Sequence, residues 1–291
     1  MGKADCGIRH IDGPGGDDVK KEIGPGAFER YYSELFGERW DTLRHALLDG
    51  GGSIELTHGF LTSYWMDGAS LVAGMALNVQ PGDDVVDLCA APGGKTLVLA
   101  RMLAGTGTLV ANERSSARRA RLHRVLNSHL PEAWRATVRI TGHDAAKWGV
   151  FRPQSADRVL ADVPCSSEQH VLTTDAALAQ WTPSRTKRLA RDAYAIACAA
   201  ADSLRPGGEM VYSTCALSPL ENDGVIDRLM KRSGSSMEVI LPESRIRALP
   251  ASDAPLPAAG MPGEATDHGW SFLPDTAAGL GPLYLCILRR R

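Results

Sequence analysis

Asp87 to Thr96 reads DLCAAPGGKT, with the run DDVVDLC leading into it and the segment KTLVLARML leading out. Two glycines, a lysine and a threonine at a strand-to-helix turn have the composition of a phosphate cradle. The spacing is wrong for one. A nucleotide-binding loop of the form Gly-x-x-x-x-Gly-Lys-[Ser/Thr] requires glycine at position 89, which is Cys89. The dinucleotide pattern Gly-x-Gly-x-x-Gly fails as well. What remains is Gly93-Gly94 at a helix start, where bare backbone N–H groups favour an anion. A carboxylate suits that position as well as a phosphate. Close packing of the turn is the other reading of the two glycines.

From this stretch onward strands and helices alternate. DVVDLC, GTLVANE, ATVRIT, DRVLADV, EMVYSTC, MEVIL and YLCILRRR read as strands. KTLVLARML, SSARRARLHRVLNSHL, residues 182–204 and LENDGVIDRLMKR have helical spacing, with Ser115 as a candidate cap and Arg205-Pro206-Gly207-Gly208 as a helix stop. This alternation predicts an α/β protein whose mostly parallel sheet carries helices on both faces. Upstream, residues 27–48 have the apolar spacing of an amphipathic helix or helix pair, stopped by Gly50-Gly51-Gly52. The expected organisation is a flexible tail over 1–26, a helical extension over 27–78 and a main domain over 79–291. A Pro- and Ala-rich mobile loop is expected at 250–264.

The chain has 291 residues, 44% hydrophobic and 23% charged, enough for a sizeable core. Its formal net charge of -2 announces no global positive field, so nucleic-acid contacts would rest on local basic patches. No apolar run approaches the roughly 20 residues that span a bilayer. Neither a secretory signal nor a transit peptide is visible. The cysteines Cys6, Cys89, Cys165, Cys198, Cys215 and Cys286 form no CxxC pair. That argues against a structural zinc site and a thioredoxin-like motif and for free thiols in a reducing compartment.

Acidic residues recur at the carboxyl ends of successive strands: Asp87, Glu113, Asp144 and Asp162. In open parallel sheets ligands bind outside those ends. An acid after the second strand suits the two hydroxyls of a ribose, although Glu113 would equally cap the following helix. With both phosphate loops excluded, the layout favours S-adenosylmethionine, which carries a carboxylate and an adenosine. Two further stretches, ADVPCSS with Cys165 and YSTCALSPLEN with Cys215, put a thiol just past each of two strands. A thiolate adding to carbon 6 of a pyrimidine activates carbon 5 for methylation, which is covalent catalysis. Asp162 is placed to stabilise the adduct. A helix starting near Leu220 would lower the Cys215 thiol pKa through its N-terminus.

At these residues the chain resembles the NOP2/Sun family of RNA cytosine-C5 methyltransferases. DLCAAPGGKT is similar to that family's first cofactor motif, ADVPCSS to its proline-cysteine motif and YSTCALSPLEN to its threonine-cysteine motif. The resemblance extends from about residue 27 to 291. YWMDGASLVAGMALNVQPGD and GLGPLYLCILRRR point to the branch acting on mitochondrial ribosomal RNA. It implies a Rossmann-like class I methyltransferase fold with a seven-stranded sheet, and a mitochondrial matrix location. It further implies Cys215 as nucleophile, Cys165 as the residue aiding product release, and Lys95 and Asp162 as a polar pair near the base. Cofactor contacts would come from Cys89, Ala90, Ala91, Pro92, Gly93, Gly94 and Lys95, with Glu113, Arg118, Asp144 and Asp162. Ala216 departs from the serine usual after the second cysteine, which leaves open an alternative of another class: a ribosome-assembly factor that keeps the fold and dispenses with catalysis.

Two arginine-rich helices could track RNA phosphates: Arg114, Arg118, Arg119, Arg121 and Arg124 on one, and Arg185, Lys187, Arg188 and Arg191 on the other. Arg289, Arg290 and Arg291 could add to them. The chain is expected to lack a separate RNA-binding domain. The resemblance suggests instead a partner, a helical-repeat protein of the mitochondrial termination-factor (mTERF) type, and action on a mitoribosomal subunit assembly intermediate. Tyr31, Tyr32, Phe36 and Trp40 are candidates for that contact, with packing against the main domain as the alternative reading.

Overall fold

The alternation expected after residue 83 is present in the computed structural model, which describes residues 23–241, Arg245 and residues 262–291. The expected tail, as far as residue 22, and the expected loop over 250–261 lie outside the described residues. The strands are β1 Ser53–Leu56, β2 Tyr64–Asp67, β3 Asp84–Asp87, β4 Thr108–Asn112, β5 Val138–Thr141 and β6 Ala156–Asp162. They continue with β7 Leu204–Thr214, β8 Met237–Ile240, β9 Glu264–Ala265, β10 Trp270–Phe272 and β11 Leu283–Arg290.

The main sheet runs β5-β4-β3-β6-β7-β11-β10-β9, with β8 also paired to β11. β3 to β7 pair in parallel, and β11 lies antiparallel to β7. Seven of these strands are the expected ones. β9 and β10 bring the total to nine, because β11 gives its outer edge to β10 near its start and to β8 near its end. β1 and β2 form a separate antiparallel hairpin inside the stretch expected to be helical.

The central strands are apolar on both sides because both faces are covered. The Gly68–Ala76 and Gly94–Leu103 helices, with Leu122 and Leu126 of Ser116–His129, bury one face; Pro183–Ser203 and Asp223–Ser233 bury the other. Ala69, Val72, Ala73 and Ala76 belong to the same core as Val85 and Leu97, so packing is continuous across the boundary expected at 78. Arg205-Pro206-Gly207-Gly208 does not form a separate stop. The long helix ends at Ser203 and β7 begins at once, with a register irregularity opposite at Ala156/Arg158.

The apolar spacing over 27–48 resolves into the helices Pro25–Phe36 and Trp40–Asp49. Phe28, Tyr32, Trp40, Leu43 and Leu47 bury themselves with Val171, Trp181, Leu217 and Leu273 of the main domain. Tyr32 and Trp40 are therefore core residues and are not available to a partner, while Tyr31 and Phe36 remain partly exposed. The guanidinium of Arg39 clamps this pair to the C-terminal region, with Nε 2.6 Å from Asp275 Oδ2 and Nη2 2.6 Å from Glu264 Oε1.

Candidate active site

β3 lies between β4 and β6, so strand order reverses at its carboxyl end. Asp87 closes β3, Asp162 closes β6, and Cys215 follows β7 directly, with Ser213 in register beside Asp162. Glu113 follows β4, Asp144 lies in the loop after β5, and Cys165 lies in the loop after β6. The topology thus delivers the predicted residues to one edge of the sheet.

The turn 88–93 is tied to both neighbouring strands: Ala90 N–H donates to Asn112 O and Leu88 N–H to Leu160 O, each at 2.9 Å. Gly93 has φ 127°, a backbone that favours glycine, and a Cβ there would lie 2.9 Å from Val125 Cγ1. At Gly94 a Cβ would come within 3.0 Å of Tyr64 Cε1. Close packing therefore accounts for part of the glycine pair. No side chain caps the Gly94–Leu103 helix, whose N-terminal dipole favours an anion.

Asp87 is fully buried. Its Oδ2 accepts from Thr96 Oγ1 at 2.7 Å, while Oδ1 has no partner. Burial pushes its carboxyl up to about 7, against the lowering effect of the Thr96 hydroxyl. Glu113 is nearly as buried: Oε1 accepts from Ser115 N–H at 2.8 Å and Oε2 faces Arg118 Nη1 at 3.3 Å. Arg118 also donates from Nη2 to Ala91 O at 2.8 Å, bracing the turn. Glu113 thus braces the entry to the next helix, whose cap is Ser115 and not Glu113 itself. Asp144 accepts from Ala146 N–H at 3.2 Å.

The two cysteine loops converge. Cys165 Sγ and Cys215 Sγ are 2.8 Å apart as free thiols, and Ser167 Oγ lies 3.0 Å from Cys215 Sγ. Hydrogen bonding from the Cys165 thiol, reinforced by Ser167, lowers the Cys215 thiol pKa in spite of burial. Cys165 moves the opposite way, well above an ordinary thiol, because its proton is held by Cys215. The helix expected near Leu220 begins only at Asp223. The causes that lower the Cys215 thiol are its hydrogen bonds with Cys165 and Ser167.

Beside this pair, Lys95 Nζ lies 2.9 Å from Asp162 Oδ2 and donates to Ser70 Oγ at 3.1 Å. Burial alone would lower the Lys95 pKa, but Asp162 more than offsets it and the ammonium is held above its usual range. Asp162 Oδ1 accepts from Ser213 Oγ at 2.8 Å. Cys89 and Cys286 are insulated thiols, raised by burial.

Sequence reading missed Ser166, Ser167, Glu168 and Glu221, which lock the loops together. Ser166 N–H donates to Glu221 Oε2 at 2.9 Å and Leu217 N–H to Glu168 Oε2 at 3.0 Å. Thr214 Oγ1 donates to Asn222 Oδ1 at 2.6 Å, and Asn222 Nδ2 to Ala216 O at 2.9 Å. The signal for them was the polar run after Cys165 and the Glu-Asn pair closing SPLEN, inside otherwise apolar surroundings.

A family profile described as 16S rRNA methyltransferase RsmB/F matches residues 74–253. The chain is 40% identical over 187 residues to the 5-cytosine rRNA methyltransferase NSUN4 of Xenopus laevis, covering 63% of this chain and 46% of that one. Against NSUN4 of Bos taurus it is 36% identical over 242 residues, 80% of this chain and 60% of the other. The chain thus spans about half the length of the curated relatives it matches. The crystal structure of NSun6 from Pyrococcus horikoshii with SFG aligns at TM-score 0.61 and 26% identity, covering 78% of this chain and 53% of that one.

Proposed function

The chain belongs to the 16S rRNA methyltransferase RsmB/F family, and we propose that it is an S-adenosylmethionine-dependent RNA cytosine-C5 methyltransferase with Cys215 as nucleophile. The observation that carries this reading is the free Cys165–Cys215 pair at 2.8 Å beside the Lys95–Asp162 ion pair.

The residues present suit the cofactor. Asp87 Oδ1 is a buried acceptor without a partner, matching an ammonium group, and the uncapped Gly94–Leu103 helix suits a carboxylate. The backbone of 89–94 would line the site, with Glu113 toward the ribose and Arg118, Asp144 and Asp162 around it. S-adenosylmethionine, when bound, supplies an electrophilic methyl group. The chain's own residues prepare the acceptor. The Cys215 thiolate forms a bond to carbon 6 of cytosine, and the ring electrons move toward carbon 5, which becomes nucleophilic. Asp162, held by Lys95 and Ser213, hydrogen-bonds the edge of the base. After methylation the carbon 5 proton passes to solvent water, its electron pair re-forms the 5,6 double bond as the carbon–sulfur bond breaks, and the Cys165 thiol protonates the departing Cys215 thiolate.

The substrate we infer is mitochondrial ribosomal RNA within a subunit assembly intermediate, on the strength of the rRNA methyltransferases it resembles. An mTERF-type partner and a matrix location rest on family resemblance; co-purification from mitochondria tests both. For the activity, labelled S-adenosylmethionine is incubated with ribosomal RNA and wild type, Cys215→Ala or Cys165→Ala protein. Wild type should yield 5-methylcytosine, Cys215→Ala none, and Cys165→Ala a trapped protein–RNA adduct. An adduct formed by Cys215→Ala and lost in Cys165→Ala would reverse the assignment.

A further inference from the structure

The N-terminal half of the Pro183–Ser203 helix borders a cavity of about 610 Å³ whose lining includes Gln180, Thr182, Arg185, Lys187, Arg188 and Arg191. No carboxylate lines it. Lys187, Arg188 and Arg191 are exposed and, among the described residues, form no ion pair. Their spacing puts them on one side of the helix, where like charges repel and destabilise it. Several other arginines of the chain are engaged. Arg118 and Arg119 bind Glu113, through its carboxylate and its carbonyl, and Arg114 faces Asp144. Arg289 meets Glu209 and Arg291 meets Glu238. The group at 185–191 borders a cavity that no carboxylate lines, and its exposed cations form no ion pair among the described residues. It is also contiguous with the active site, because Arg185 Nη2 donates to Ser166 O at 3.4 Å, one residue from Cys165.

We propose that this cavity seats the phosphodiester backbone of the RNA strand carrying the target cytosine. The inference rests on the RNA methyltransferase reading. Three clustered cations without counter-ions match a polyanion, and displacement of counter-ions from RNA would drive the contact. Gln180, Thr182 and Ser184 add neutral hydrogen-bonding groups at the rim. Arg185 orients the Ser166 carbonyl and so links strand binding to the cysteine loop.

The test is the salt dependence of single-stranded RNA binding by wild type and the triple variant Lys187→Ala/Arg188→Ala/Arg191→Ala, with S-adenosylmethionine binding measured on both as the check on folding. Each lost phosphate contact should reduce the slope of log affinity against log salt by about 0.7, and the triple variant should bind roughly tenfold or more weakly at low salt. The variant Lys187→Arg/Arg188→Lys/Arg191→Lys should restore the slope. An unchanged slope with cofactor binding intact overturns the proposal, as does loss of a protein partner with RNA binding unaffected. Methyl transfer by wild type with an unchanged slope in the triple variant sinks this inference alone. A reduced slope without methyl transfer by wild type sinks the enzymatic reading alone.

Discussion

Glu168 and Glu221 close on the same hydroxyl: Glu221 Oε1 lies 2.6 Å from Ser166 Oγ, and Glu168 Oε1 bonds the same oxygen. One hydroxyl has one proton to give, so one of the two buried carboxyls must itself be protonated. The shared proton joins the loop after β6 to the loop after β7, and with them the two cysteines.

This arrangement sets a pH dependence. Burial, reinforced by the charge of Glu168, pushes the Glu221 carboxyl up to about 8. The native state therefore binds more protons than the unfolded one between the ordinary carboxyl range and about 8, and stability falls as pH rises through that window. The protonated pair contributes fully only below the unfolded pKa. Thermal melts across this range should show the decline in wild type and a flatter profile in Glu221→Gln, while an identical slope in the variant would refute the assignment.

Cys215 should be the more reactive thiol. Alkylation by a small haloacetamide, followed by peptide mapping, should label Cys215 at lower pH than Cys165. Ser167→Ala removes a donor to the thiolate. Hydrogen bonds to charged groups contribute about 1.5–3 kcal/mol, so the thiolate fraction should fall roughly tenfold or more and labelling with it. Equal rates in the two proteins would remove Ser167 from the mechanism.

The ion pair of Lys95 with Asp162 makes a third prediction. Asp162→Ala leaves the Lys95 ammonium largely buried with only Ser70 for a partner, so burial should then lower its pKa. The expected result is methyl transfer reduced on the order of a hundredfold, with cofactor binding weakened as well. Full activity in Asp162→Ala would place the essential polar contact elsewhere.

Trp181 anchors the N-terminal helices. Its ring centroid lies 5.2 Å from that of Phe28 and 5.8 Å from that of Tyr32, and its carbonyl accepts from Gly24 N–H at 2.9 Å. Trp181→Ala should cost about 3–5 kcal/mol. The indole N–H has no partner, so Trp181→Phe forfeits volume and no hydrogen bond. It should cost clearly less in chemical denaturation. Equal losses would show that the N–H matters after all.

The strands around β3 and the two cysteine loops were legible in the sequence because their signals are local. Strand and helix periodicities declare themselves within a few residues, and Gly93-Gly94, Cys165 and Cys215 each follow a strand that such periodicity identifies. The hairpin β1–β2 escaped because four-residue strands carry too short an alternation. The source of Cys215 acidity, the Ser166–Glu168–Glu221 lock and the burial of Tyr32 and Trp40 depend on groups far apart in the chain. Ser166 and Glu221 are separated by 55 positions, Tyr32 and Glu168 by 136. No periodicity records such pairings. Only tertiary packing removes water from these groups, decides which carboxyls must keep a proton, and leaves the cations at 187–191 without acidic partners. The sequence by itself determined which residues could do the chemistry; the fold decided which of them meet.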